Sequence, residues 1–255
     1  MIPEFNTTLR LSRDQYFLDV GYKNLIVLHH TAGGSAVSTF YWWQNYDLRR
    51  VATAYIVERD GTIFEIFNPS CWAFHLGLAG TGGAHDYRSI GIELASEGGL
   101  IARGSRFYAF DLVSPVTEYT GNVFDYGKKW RNSYRFFAQY TEEQMNAAVE
   151  LVNYLCTDFA VPRRTPAAHT DYIPEAREYR GIIGHHHVRG DKTDLHPGFA
   201  WDTLIRRCDL DVTDFEGTSY FAQRSKKSPS NYLVSIRNNR RRISIRKAMT
   251  DRLIK

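Results

Sequence analysis

The sequence predicts an α/β domain, a central mixed β-sheet flanked by α-helices, followed by a basic C-terminal extension. Three observations predict it. Short apolar runs such as Leu25–Leu28 (LIVL) and Ser89–Ala95 (SIGIELA) read as buried strands. The stretch after Thr141 carries apolar residues at helical spacing. The composition, 43% hydrophobic and 24% charged over 255 residues, is that of a globular chain long enough for one large core.

The elements follow in order. Residues 1–23 form an N-terminal segment, and Leu25–Leu28 is the first strand. Ala36–Tyr46 reads as a helix carrying Phe40, Trp42 and Trp43. Ala54–Glu58 and Thr62–Phe67 flank Arg59-Asp60-Gly61, and two apolar runs around Asp-Gly signal a hairpin. In Ser89–Ala95, alternation puts Ile90, Ile92 and Leu94 on one face and Gly91 and Glu93 on the other. Residues 98–139, rich in Tyr, Phe, Gly and Ser, are read as an insertion with short strands of its own. Thr141 opens a helix, with Gln144 completing a capping box. Met145, Ala148, Val149, Val152, Leu155, Cys156 and Phe159 keep its spacing, and Pro162 and Pro166 end it. Gly181–Gly184 leads into the polar run GHHHVRGDKTDLHPG, and a last helix covers about Phe199–Arg207. The domain is thus expected over 24–210 and the basic extension over 211–255.

Charge is unevenly placed. Residues 218–255 carry eleven Lys or Arg against one acid, Asp251, a surplus of +10; the net charge of +4 therefore leaves −6 for residues 1–217. Such a tail suits a solvated extension, or capture of anionic cell-wall polymer, lipid or nucleic acid, or docking on a delivery partner. Cys71, Cys156 and Cys208 are too few and too scattered for a disulfide framework or a cysteine-only zinc site. The longest uncharged stretches, Asn24 to Tyr46 and Ile66 to His85, are broken by polar residues and glycine, so no membrane span is expected. The N-terminus has no basic region followed by an apolar stretch, so no secretory signal is expected either.

Chemistry points to the histidines. Of nine, His29 and His30 follow the LIVL strand, and His185, His186 and His187 follow Gly-Ile-Ile-Gly. Histidines just past buried strands are rigidly held at a cleft, as metal ligands must be. One lone histidine would more often be a satisfied polar group. Two clusters, one followed by Lys-Thr-Asp, favour a metal site.

Four segments in this order resemble the zinc-dependent N-acetylmuramoyl-L-alanine amidases of type 2, which share a fold with peptidoglycan recognition proteins. They are IVLHHTAG (26–33), AYIVERDGTIFEI (54–66) continuing to WAFHLG (72–77), SIGIEL (89–94), and GHHHVRGDKTDLHPG (184–198) closed by AWD (200–202). Together they cover about residues 24–207. The resemblance implies Zn2+ held by His29, His185 and Asp194. His30 is then a structural neighbour, and His186 and His187 are alternatives if the register slips. The family follows its third ligand directly with Pro-Gly; here Leu195 and His196 intervene, which leaves His196 as a competing ligand. Two neutral imidazoles and a carboxylate suit a catalytic zinc with one open position.

The resemblance further implies that Glu93 is the general base and Lys192 the oxyanion-stabilising cation. Thr53 stands where another branch of the family has a tyrosine, which favours the glutamate. A carboxylate in an apolar strand is costly without a role, although a half-exposed strand could carry it facing solvent. His75 matches a histidine that lines the family's substrate cleft, with Trp72 and Phe74 packing on substrate or in the core. The implied reaction is hydrolysis of the amide between N-acetylmuramic acid and L-alanine in bacterial peptidoglycan. A non-catalytic peptidoglycan-binding module is the rival reading, and filled ligand positions count against it. A nucleic-acid binder is a third, opposed by the acidic body. Without a signal, the chain is expected to be cytoplasmic at synthesis. It would then reach the wall or periplasm as an endolysin after lysis or as a delivered antibacterial effector, or act on cytosolic muropeptides.

Overall fold

The computed structural model describes residues 2–45, 49–110 and 117–213. Tyr46, the expected end of the first helix, and the basic stretch 218–255 lie outside the described residues. In chain order the elements begin with β1 (Leu25–His30), α1 (Ala36–Gln44), β2 (Tyr55–Val57), β3 (Ile63–Glu65), α2 (Ala84–Tyr87) and β4 (Ser89–Leu94). Five strands follow: β5 (Gly99–Arg103), β6 (Arg106–Ala109), β7 (Thr117–Tyr119), β8 (Val123–Trp130) and β9 (Tyr134–Ala138). Then come α3 (Glu142–Asp158), β10 (Arg164–Pro166), β11 (Gly181–Gly184), α4 (His185–Val188), α5 (Trp201–Cys208) and β12 (Asp211–Thr213).

The central sheet has the order β11-β1-β4-β2-β3. Its first four strands are parallel, and β3 returns antiparallel through the Asp-Gly hairpin. Gly61 takes φ +87° there, a conformation that a side chain would resist. β1 runs two residues further than its apolar letters suggest, because His29 and His30 continue the pairing with Glu93 and Leu94. Register fixes the faces. Ile26, Leu28, Ile90, Ile92 and Ile182 join α1, α3 and α5 in one buried cluster. The opposite face carries Val27, His29, Gly91, Glu93 and Ile183, since directly paired residues point to the same side.

Thr141 caps α3 by accepting the Gln144 backbone N–H at 3.0 Å, and its hydroxyl also donates to the Arg59 carbonyl. The expected capping box is only half formed. The Gln144 side chain instead donates to the Val57 and Ala95 carbonyls, each at 3.0 Å, and so bolts the helix to the ends of β2 and β4. Thr141→Ala is expected to lower unfolding free energy by about 1–2 kcal/mol in urea titrations. A change under about 0.3 kcal/mol would mean that the cap is idle.

The first 23 residues are not separate from this body. Asn6 bridges alongside Phe64 of β3, Leu11 is buried in the main cluster, and Phe17 pairs with Trp72. Residues 99–110 and 117–138 form a second, wholly antiparallel sheet, ordered β7-β6-β5-β9-β8, with a small core of Leu100, Ala109 and Ala138. Its β8–β9 end reaches the 184–198 loop. Arg131 donates to the carbonyls of His186 and Gly190, and Trp130 Nε1 donates to Thr170 O. At the far end of the domain β12 pairs parallel with β10, so residues 211–213 belong to the folded body and not to an extension.

Candidate metal centre

β1 holds His29 on the polar face of the sheet, and α4 starts with His185 as β11 ends. Asp194 follows in the loop after α4. That loop is folded back on the helix by two bonds: His186 N–H to Asp194 O at 2.7 Å, and Leu195 N–H to His186 Nδ1 at 3.1 Å. The result is a triangle of His29 Nδ1, His185 Nδ1 and Asp194 Oδ2 with edges of 3.1, 3.0 and 2.8 Å. Both imidazoles are almost fully buried, with side chains 3% exposed.

The outer nitrogens decide where the protons are. His185 Nε2 lies 2.9 Å from the Leu76 carbonyl, which can only accept, so Nε2 carries the hydrogen. His29 Nε2 lies 2.9 Å from His75 Nδ1, and His75 Nε2 lies 2.7 Å from Ser89 Oγ. The Ser89 hydroxyl donates to the Asp86 carbonyl at 3.1 Å, so it accepts from His75 Nε2–H. His75 Nδ1 is then a lone pair, and His29 must donate to it from Nε2. Both inward Nδ1 atoms are therefore lone pairs. Burial first, and the neighbouring His185 second, pull the His29 imidazole down to about 4, and burial likewise lowers His185, so both rings are neutral near pH 7. Burial alone would raise the Asp194 carboxyl, yet it lies well below the usual range, with the charge of Lys192 among the causes.

Three acceptors thus converge with no proton among them. Such a set repels itself unless a cation sits between its members. The donors, two imidazoles and a carboxylate, are those zinc takes, and about 3.3 Å is the spacing of ligands around a tetrahedral ion with bonds of roughly 2.0–2.1 Å. The observed edges are slightly shorter, so the residues fit a zinc ion with a small outward adjustment.

Other residues expected at the site fall into two groups. Glu93 stands beside His29 in register, on the same face and partly buried. Lys192 is close enough for its charge to act on His29, His185 and Asp194. The His75 side chain is 5% exposed and both of its nitrogens are engaged, one by His29 and one by Ser89. Trp72 and Phe74 pack among aromatic neighbours. Trp72 stacks on Phe17 at 3.9 Å between centroids, and Phe74 packs edge-on against both rings while lining an open groove with Asp14, Phe17, Arg49 and Arg50.

The competing histidines are held elsewhere. His196 stacks between Tyr140 and Phe137, receives Gly198 N–H on Nδ1 and faces Ala138 O with Nε2. His30 lies 3.2 Å from the Tyr140 hydroxyl. His186 and His187 point their Nε2 atoms at the carbonyls of His169 and Ala168. Sequence reasoning missed the Leu76 carbonyl, which no side-chain pattern announces, and Ser89. Ser89 lies on the polar face of β4 by the same alternation that places Gly91 and Glu93, so that signal was available.

A family model described as N-acetylmuramoyl-L-alanine amidase matches residues 21–198. No curated protein matches the chain. Among solved structures, the endolysin N-acetylmuramoyl-L-alanine amidase LysCS from Clostridium intestinale is 12% identical, with 83% of this chain and 99% of that one covered and a TM-score of 0.43. PlyL is 14% identical, with coverages of 84% and 99% and a TM-score of 0.47. AmpD is 19% identical, with coverages of 84% and 99% and a TM-score of 0.44.

Proposed function

The chain belongs to the N-acetylmuramoyl-L-alanine amidase family, and we propose that His29, His185, Asp194, Glu93 and Lys192 carry that family's reaction in it. It is a peptidoglycan hydrolase that cuts the amide between N-acetylmuramic acid and L-alanine. The observation that carries the site assignment is the convergence of two imidazole lone pairs and one carboxylate oxygen within 3.1 Å of one another.

His29, His185 and Asp194 would hold zinc, which when bound lowers the pKa of water and polarises a carbonyl. The chain's own groups do the rest. Glu93, beside His29 on the polar face, takes the proton of the attacking water and passes it to the leaving alanine nitrogen. Lys192 neutralises the oxyanion that develops on the scissile carbonyl. The burial of the two histidines keeps them unprotonated, and the carbonyl and imidazole behind them fix their tautomers. No helix among the described residues is long and apolar enough to cross a membrane.

The test is product analysis. Purified peptidoglycan digested by the protein should release free stem peptides with an alanine amino terminus, and mass spectrometry identifies them. Dialysis against a chelator should abolish release, and added zinc should restore it. Cleavage within the glycan strand, or chelator-resistant release from protein shown by metal analysis to be zinc-free, would refute the reading. The basic stretch 218–255 enters as a second, separable expectation. Its removal should slow digestion of intact sacculi at low salt and leave small soluble muropeptides unaffected. Equal loss on both substrates would count against wall capture by the tail.

A further inference from the structure

The two histidines of the metal triangle are on different elements, yet the groups behind them are consecutive residues. His75 meets His29 Nε2 through its imidazole, and Leu76 meets His185 Nε2 through its carbonyl. Arg189 reaches the same segment. It donates to Gly77 O at 3.0 Å while its guanidinium grips the Asp191 carboxylate, three residues before Asp194. One short segment, 75–77, therefore braces both imidazoles and the loop that brings the carboxylate.

That segment is itself held from one point. The Asp86 Oδ1 atom accepts the backbone N–H of His75 and that of Leu76, each at 2.8 Å. The side chain of Asp86 is 2% exposed. Its backbone carbonyl accepts the Ser89 hydroxyl, and Ser89 in turn receives His75 Nε2–H. The His75 ring is further confined by Gly91, where a Cβ would come within 3.2 Å of it and 2.7 Å of the Thr53 methyl. A buried carboxylate is retained at a desolvation cost, and here both of the N–H groups it binds belong to the brace.

We propose that Asp86 is the positioning residue of the metal centre: by fixing residues 75 and 76 it aims the imidazoles of both His29 and His185. Asp86 touches neither the ion nor the substrate. It acts two bonds back, through His75 on one ligand and through the Leu76 carbonyl on the other. The inference rests on the assignment of His29, His185 and Asp194 as the metal ligands.

The experiment measures zinc affinity by competition with a chromogenic chelator, in the full-length chain. Asp86→Ala removes the acceptor of both N–H groups and should weaken zinc about 10- to 100-fold. Asp86→Asn keeps a carbonyl oxygen at the same place and should stay close to wild type. Val152→Ala, in the α3 core away from the site, should lower the melting temperature without changing zinc affinity. In the cobalt-substituted protein, the visible absorption bands should shift for Asp86→Ala and not for Asp86→Asn. If Asp86→Ala fails to fold, Ser89→Ala carries the test, because it frees only the His29 arm; an affinity loss of roughly tenfold is expected. Unchanged zinc affinity in folded Asp86→Ala, or in Ser89→Ala where that variant stands in, overturns the proposal. Wild-type protein that binds no zinc overturns instead the ligand assignment beneath it, so the two failures are told apart.

Discussion

Glu93→Gln is expected to slow stem-peptide release by about 10²- to 10⁴-fold while zinc content and fold stay as in the wild type. The reason is positional. Glu93 is paired with His29 across β1 and β4, so both side chains leave the same face of the sheet. Gly91 and Ser89 are its neighbours on that face, and Gly91 leaves room for the His75 ring to reach His29. A carboxylate placed beside a ligand, and not within the ligand triangle, is placed to handle a proton. Glutamine keeps its size and loses that function. Glu93→Asp should recover part of the rate, since it keeps the base and withdraws it by one methylene. A loss of less than tenfold for Glu93→Gln would mean that another group takes the proton. Lost zinc in the same variant would move Glu93 into the ligand set.

The limits of sequence reading follow from the same side chains. LIVL and SIGIEL were legible as strands because each buries one apolar face against α3 and the other under the site. Their lengths were less legible: His29 and His30 are polar letters that remain in the ladder because both lie in the interior. The Asp-Gly hairpin was readable, since a turn needing positive φ at its glycine advertises itself. The capping box was readable only in its first half, because the sheet carbonyls at Val57 and Ala95 outcompete the helix end for Gln144. In the second sheet the strands alternate poorly. Most of their residues are exposed or only half-buried, so hydropathy gave no period to follow.

At the site, the resemblance pointed to His29, His185 and Asp194, which lie close together, but spacing does not fix the surroundings of His75, Trp72 and Phe74. His75, Trp72 and Phe74 are near in sequence and have different partners. The bridges Phe17↔Trp72 and Val51↔Phe74 join segments 23 or more residues apart, and His75 is held by Asp86 and Ser89 from a third segment. The pull of His196 as a rival ligand had a similar origin. Two residues of slip decide whether an imidazole meets the triangle or stacks on Tyr140, and loop spacing alone does not carry that information.

His185→Ala should leave a protein that retains almost no zinc after dialysis and releases no measurable stem peptide, and His186→Ala is the comparison that gives this meaning. Both residues are fully buried in the same turn, so both substitutions open a cavity of similar size. Their bonds differ. His186 receives Leu195 N–H and faces His169 O, so its loss leaves buried backbone groups unpaired, at about 1–3 kcal/mol for each. His185 spends one nitrogen on Leu76 O and turns the other to His29 and Asp194. Removing it takes away one of three ligands, and the remaining imidazole and carboxylate make a much weaker site. His186→Ala should therefore lower the melting temperature and keep zinc near one ion per chain, whereas His185→Ala should lose the ion however stable the fold remains. Metal analysis beside calorimetry on the two variants separates these effects. If His186→Ala loses the ion and His185→Ala keeps it, the register of the histidine run is shifted by one and the triangle drawn from His29, His185 and Asp194 is wrong.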